Sequence, residues 1–126
     1  MRLLSTLLII FVAVISLGFW TNHSLKVSTD ELLGNIEQVA KGIENNHWDT
    51  AYTQTMGFEK TWDEKANWWP TVLDHQEIDN IEFAMARVRE YVATKNASLS
   101  RGQLSELKLM IKHIPEKEAI RIKNIL

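Results

Sequence analysis

Hydrophobic residues are distributed along this chain in two different ways. Residues 3–20 form an uninterrupted run without a charged side chain, and Arg2 precedes it. Beyond Asn22, apolar positions recur every three or four residues, and no stretch alternates apolar and polar residues over the length of a strand. The sequence therefore predicts an all-α protein in which one wholly apolar helix precedes a set of amphipathic helices.

The apolar run is long enough to cross a membrane. Its 18 residues form a helix of roughly 27 Å, close to the roughly 30 Å of a hydrocarbon core. Trp20 would lie at the far interface, and Arg2 favours a cytoplasmic amino terminus with the rest of the chain outside. A cleaved signal peptide is the alternative, because Ser16-Leu17-Gly18 offers small residues at the spacing found before a cleavage site. A buried core helix is the third interpretation.

The first two amphipathic helices are bounded by polar residues. Thr29 or Asp30 can cap the first helix, which is predicted to end at "ENN" (residues 44–46). The second is predicted to begin near His47 and to run toward Leu73. Both patterns carry one apolar stripe, so each helix is expected to pack on its neighbours along one face.

Two capping boxes predict the starts of the third and fourth helices. Asp74 is followed three residues later by Glu77, and Ser100 by Gln103. Pro115 is expected to break the fourth helix and to leave a short amphipathic C-terminal helix.

Short connections make successive helices antiparallel neighbours. We therefore predict a transmembrane anchor or signal segment over residues 1–24, followed by an extracytoplasmic domain over residues 25–126. The predicted fold of that domain is a four-helix up-and-down bundle with a short C-terminal helix.

Tryptophan is concentrated in the second helix. Trp48, Trp62 and Trp69 are separated by 14 and 7 residues, whole heptads, so on a continuous helix they share one face. Side chains of this size bury about 150–250 Å² each, which favours a role in the core. The predicted core comprises Trp48, Tyr52, Trp62, Trp69, Ile78, Ile81, Met85, Leu107 and Ile111.

Trp68 does not belong to that face. It is rotated about 100° from Trp69 on a helix. Its ring can fold against the bend expected at Pro70, contact a partner or lipid headgroups, or stack on a sugar. Trp68 is the candidate contact residue for a partner.

Glu59 is a carboxylate in the middle of the tryptophan stripe. An unpaired charge there would cost several kcal/mol or shift its pKa upward. Arg89 falls on the apolar stripe of the third helix, so we predict a buried Glu59–Arg89 ion pair, with Arg87 as the alternative cation. No second catalytic group falls on the same face, which disfavours Glu59 as a general base.

Composition narrows the classes of function. The chain has no cysteine, which excludes disulfides and thiolate chemistry, and its net charge of −2 argues against nucleic-acid binding. Acids outnumber Lys and Arg by 13 to 5 between residues 30 and 90, whereas Lys and Arg outnumber acids by 6 to 3 from residue 101 onward. No metal-ligand spacing, phosphate-binding loop or nucleophile elbow is present, so we predict no cofactor, no metal and no enzymatic activity. The histidines lie in four separate segments: His23, His47, His75 and His113.

Several motifs together resemble a family of short, N-terminally membrane-anchored proteins of spore-forming and related Gram-positive bacteria, known as a domain of unknown function. Besides the apolar N-terminal helix, the motifs are Trp48-x-x-x-Tyr52, Glu59-x-x-Trp62 with Trp69 a heptad later, "HQEIDNIE" at residues 75–82, and the closing "KNIL". The likeness covers nearly the whole chain. It implies a membrane-protein partner, because such proteins tend to be encoded beside a multi-spanning membrane protein. It carries over no catalytic residue.

The function expected from the sequence is that of a non-enzymatic accessory protein. It would be held in the cell membrane through residues 3–20 and would bind another membrane protein at the outer face. The alternative is a module that binds cell-wall glycan or a small ligand through Trp68.

Overall fold

A computed structural model describes residues 1–67, 69 and 73–125, and for Ala66 and residues 117–125 it describes the backbone alone. Within these residues the chain is all-α, with four helices and no strand. The helices are α1 (Arg2–Glu44), α2 (Trp48–Ala66), α3 (His75–Ala93) and α4 (Ala97–Ile125).

The apolar run and the first amphipathic helix form one continuous helix, α1, of 43 residues. The predicted helix start at Thr29 or Asp30 is therefore wrong. No proline or glycine interrupts residues 19–33. The Thr29 hydroxyl donates to the carbonyl of Lys26 at 2.9 Å, so it bonds back within the helix and caps nothing.

The starts of α3 and α4 test the two predicted caps. The cap of α3 is confirmed, and the predicted cap of α4 is wrong. The Asp74 carboxylate accepts a hydrogen bond from the Glu77 amide at 2.8 Å and caps α3. At α4 the Asn96 side chain accepts from the Leu99 amide at 3.0 Å. Ser100, the predicted cap, lies fully buried inside α4. Asn and Ser cap helices about equally well, so the residue types alone do not distinguish Asn96 from Ser100 as the cap.

Two helix lengths also differ from the prediction. The helix α2 ends at Ala66, short of Leu73, although the Leu73 amide still bonds to the carbonyl of Trp69 at 2.8 Å. The helix α4 continues through Pro115, so the predicted break and separate C-terminal helix are wrong. A proline removes one amide donor and crowds one turn, and the helix hydrogen bonds on either side can persist.

The four helices form an up-and-down bundle. Each of α1 and α3 packs against both α2 and α4. Left-handed residues, Asn46 with φ 58° and Lys95 with φ 57°, turn the chain sharply after α1 and α3. The end of the bundle beside Leu25 of α1 therefore holds the end of α2, the start of α3 and the last turns of α4.

The core contains the predicted residues except Trp48 and Tyr52. Trp62 and Trp69 are fully buried, and their rings meet edge to face at 4.8 Å and 85°. Trp48 is half-buried and packs against the core from its edge. Tyr52 is 40% exposed, so its predicted place in the core is wrong. Its neighbour Ala51 occupies the core position, and the next side chain is turned about 100° away.

Gly42 lets α1 and α2 approach closely beside their connection. A Cβ at Gly42 would lie 3.0 Å from the Cβ of Ala51 and 3.1 Å from its Cα. Gly34, on the same helix, would meet nothing within 4 Å.

We expect Gly42→Leu to lower the free energy of unfolding by about 2–3 kcal/mol, because the new side chain must push the two backbones apart. Gly34→Leu is the matched control and should cause no loss, since leucine favours helix over glycine. Urea unfolding of the full chain in mild detergent measures both. Equal stabilities for the two variants would contradict the close approach at Gly42.

Candidate functional site

The first half of α1 carries an apolar surface that no described part of the protein covers. By length and composition α1 could cross a membrane, and none of its most apolar stretch of 18 residues is buried. The large side chains from Leu3 to Trp20 are mostly exposed, whereas Leu25, five residues beyond Trp20, is fully buried. The uncovered surface therefore ends where the bundle begins.

Two polar contacts join α2 to α3 at the edge of the core. Arg89 Nη1 lies 3.1 and 3.2 Å from the two carboxylate oxygens of Glu59. The structure thus brings together the two residues that the sequence pairs, although the pair is only half-buried, with Glu59 16% and Arg89 40% exposed. Trp62 donates from Nε1 to the Glu82 carboxylate at 3.2 Å. These side chains hold α2 and α3 together.

Glu82 is the member of this group that sequence reasoning missed. A signal was present, because Glu82 precedes Arg89 by one heptad and so lies on the same side of α3. Glu59 and Trp62 are likewise three residues apart on α2, which aligns the two contacts.

We expect Arg89→Met to lower the free energy of unfolding by about 1–2 kcal/mol. It leaves the Glu59 carboxylate without its cation, and the site is too exposed for the larger loss seen in fully buried pairs. Arg87→Met, on the exposed side of α3, is the control. Thermal unfolding compares the two, and an Arg89 variant as stable as the Arg87 variant would exclude a stabilising pair.

Two further ion pairs connect α1 to its neighbours. Lys65 Nζ lies 3.0 Å from Glu31, and Lys108 Nζ lies 2.7 Å from Glu37. The hydrogen bond and the positive charge of Lys108 lower the pKa of Glu37. The interaction is therefore present above the ordinary carboxyl pKa and is lost as pH falls through the lowered one. Both pairs are surface contacts. They identify residues of neighbouring helices that lie near the same height in the bundle.

The cavities among the described residues are small or open. One of about 120 Å³ lies between α3 and α4 and includes Glu77, Asn80 and His113. A shallow depression of about 460 Å³ lies at the start of α2, beside His47 and Lys95. No three His, Asp or Glu side chains in the described part of the chain are arranged to hold a metal ion.

Three large apolar side chains on α2 and α3 are exposed. Tyr52 and Met56 are one turn apart on α2, and Phe83 on α3 is 59% exposed. The sequence predicts Tyr52 in the core, and no prediction was made for Met56 or Phe83. Phe83 lies about 160° from Met85 on a helical projection, which indicates a position away from the core.

Trp68, the predicted contact residue, lies outside the described residues, so the glycan-binding alternative stays a prediction.

Comparison with known proteins gives one match. A family model described as a domain of unknown function, DUF4363, matches residues 19–125. No curated protein and no solved structure matches the chain. The match begins at the end of the apolar run and covers the whole bundle.

Proposed function

The chain belongs to the DUF4363 family, and we propose that it is a membrane-anchored, non-enzymatic accessory protein whose helical domain binds another membrane protein. As part of this proposal, and as the motif resemblance implies, it resides in the cell membrane of a Gram-positive bacterium with the bundle at the outer face.

The uncovered apolar surface of α1 is the observation that carries the proposal. On insertion scales a central aliphatic residue favours the membrane by roughly 0.3–0.6 kcal/mol. Residues 3–20 add such terms over an unbroken run without an opposing charge. Water would have to solvate all of this surface, whereas a bilayer covers it.

The orientation follows from charge. Arg2 and the amino terminus precede the apolar run and favour the cytoplasmic side. The bundle then lies at the outer face.

Thiol labelling tests this orientation. Because the protein has no cysteine, a single Ser105→Cys variant carries one thiol, on an exposed part of α4. We expect a membrane-impermeant maleimide to label it in intact cells. Labelling that requires permeabilised cells would exclude an outer-face bundle.

The exposed residues Tyr52, Met56 and Phe83 support a protein partner. Aromatic residues and methionine are enriched in the cores of protein interfaces, where their area is removed from water. An anchor that keeps the bundle in one plane with another membrane protein also raises the effective concentration of the two. The polar groups at the edge of the core, Glu59 and Arg89, are engaged with each other.

Photo-crosslinking tests the proposal. A photoreactive amino acid is placed at Tyr52, Met56 or Phe83 of the full chain in living cells, and at Thr53 or Gln76 as exposed polar controls on the same helices. We expect an adduct with one integral membrane protein at the apolar positions, absent at the controls. Adducts with no membrane protein at any of the three positions would contradict the proposal.

A further inference from the structure

We propose that the end of α4 lies on the membrane surface and binds the headgroups of acidic phospholipids. This inference rests on the proposed function, because it requires that α1 spans the membrane. The observations that carry it are the level of α4 beside α1, the short distance between bundle and apolar run, and the charge of the last turns.

The Glu37–Lys108 pair sets the level of the two antiparallel helices. Lys108 Nζ lies 2.7 Å from the Glu37 carboxylate, so the two residues lie within about one helical turn of the same height. Ile125 lies 17 residues beyond Lys108, and Trp20 lies 17 residues before Glu37. Equal numbers of residues at the same helical rise, roughly 25 Å on each helix, bring the end of α4 to within about a turn of the level of Trp20. Trp20 is the last residue of the apolar run.

The bundle follows the apolar run without a linker. Trp20 is 66% exposed, whereas Leu25, Ser28 and Thr29 are buried, all on one unbroken helix. Five residues of helix rise only about 7.5 Å. The base of the bundle therefore lies within the thickness of a headgroup layer from the hydrocarbon.

The last turns of α4 are basic. Between residues 112 and 123 the sequence contains four Lys or Arg against two Glu. Lys26, exposed on α1, adds a cation near the same level. Acidic lipids create a negative surface potential that attracts such clusters within a Debye length. The neighbouring helices carry acids at this end of the bundle, among them Asp63 and Glu64 of α2 and Asp74 and Glu77 of α3, so we expect the contact on the α4 side.

The absence of native cysteine allows a site-specific test in the full chain. Asn124→Cys at the end of α4, and Ser105→Cys in its first half as control, are labelled with a polarity-sensitive fluorophore. The protein is reconstituted into vesicles of phosphatidylcholine, with or without phosphatidylglycerol. We expect a blue shift at position 124 that grows with phosphatidylglycerol and falls in high salt, and no shift at position 105.

Charge removal identifies the lipid headgroup as the cause. Arg121→Gln combined with Lys123→Gln should abolish most of the phosphatidylglycerol-dependent shift at position 124. Arg101→Gln, at the far end of α4, should leave it unchanged. A shift that is equal in both vesicle types, or that survives the double substitution, would overturn acidic headgroup binding.

Extraction separates the two proposals. If the reconstituted protein resists carbonate but position 124 reports the same aqueous environment as position 105, the headgroup contact is overturned and the anchor stands. If carbonate releases the protein, the anchor itself fails and the headgroup contact fails with it.

Discussion

Replacing Trp62 with alanine is expected to lower the free energy of unfolding by about 3–5 kcal/mol, as is usual for a buried Trp truncated to alanine. Trp62 is fully buried and packs edge to face against Trp69 at 4.8 Å. The substitution also removes the indole donor to Glu82. A small domain is stable by only about 5–15 kcal/mol, so this one change should unfold a visible fraction of molecules.

Two controls distinguish the cavity from the lost hydrogen bond. Trp62→Phe keeps much of the ring volume but has no donor, and it should be less destabilising than alanine. Lys60→Ala, on the exposed face of α2, should be nearly neutral. Circular dichroism during urea unfolding of the full chain in detergent measures all three. An alanine variant at position 62 as stable as the one at position 60 would show that Trp62 is not a core residue.

Placing two aspartates in the middle of the apolar run is expected to release the protein from membranes. Phe11 and Val12 lie at the centre of residues 3–20. Aspartate at the centre of a spanning helix is unfavourable by roughly 2.5–3.5 kcal/mol on insertion scales. The Phe11→Asp, Val12→Asp double variant therefore opposes insertion by at least about 5 kcal/mol, more than a thousandfold in partition.

Carbonate extraction followed by immunoblotting measures the effect. We expect the native chain in the membrane pellet and the double variant in the supernatant. Phe11→Leu with Val12→Leu keeps the run apolar and should stay in the pellet. A double aspartate variant that sediments like the native chain would contradict a membrane-spanning role for α1.

Much of the architecture could be predicted because it depends on local rules. Period-3.6 patterning over Ile78, Ile81 and Met85 indicates a helix with one buried face wherever that face later packs. The Asp74 cap likewise needs only the three residues that follow it. Glu59 lies in an apolar stripe, and the physical need to neutralise its charge predicts a cation such as Arg89 on the apolar stripe of the third helix.

Other features depend on how the helices are aligned with one another. Tyr52 lies one turn after Trp48 and within the same broad arc of α2, yet Ala51 takes the core position, where α2 touches α1 at Gly42. The contact of Glu82 with Trp62 depends likewise on the relative heights of α2 and α3. Neither the facing residue nor the height of a neighbouring helix can be read from one helix alone.

The sequence by itself determined the helical class, the long apolar segment and most of the core, because each follows from side chains a few residues apart. Only the tertiary structure decided that α1 runs unbroken from the apolar segment into the bundle, and that Glu37 of α1 lies beside Lys108 of α4. The physical reason is that Glu37 and Lys108 are distant in sequence. Their contact exists only once the helices have packed.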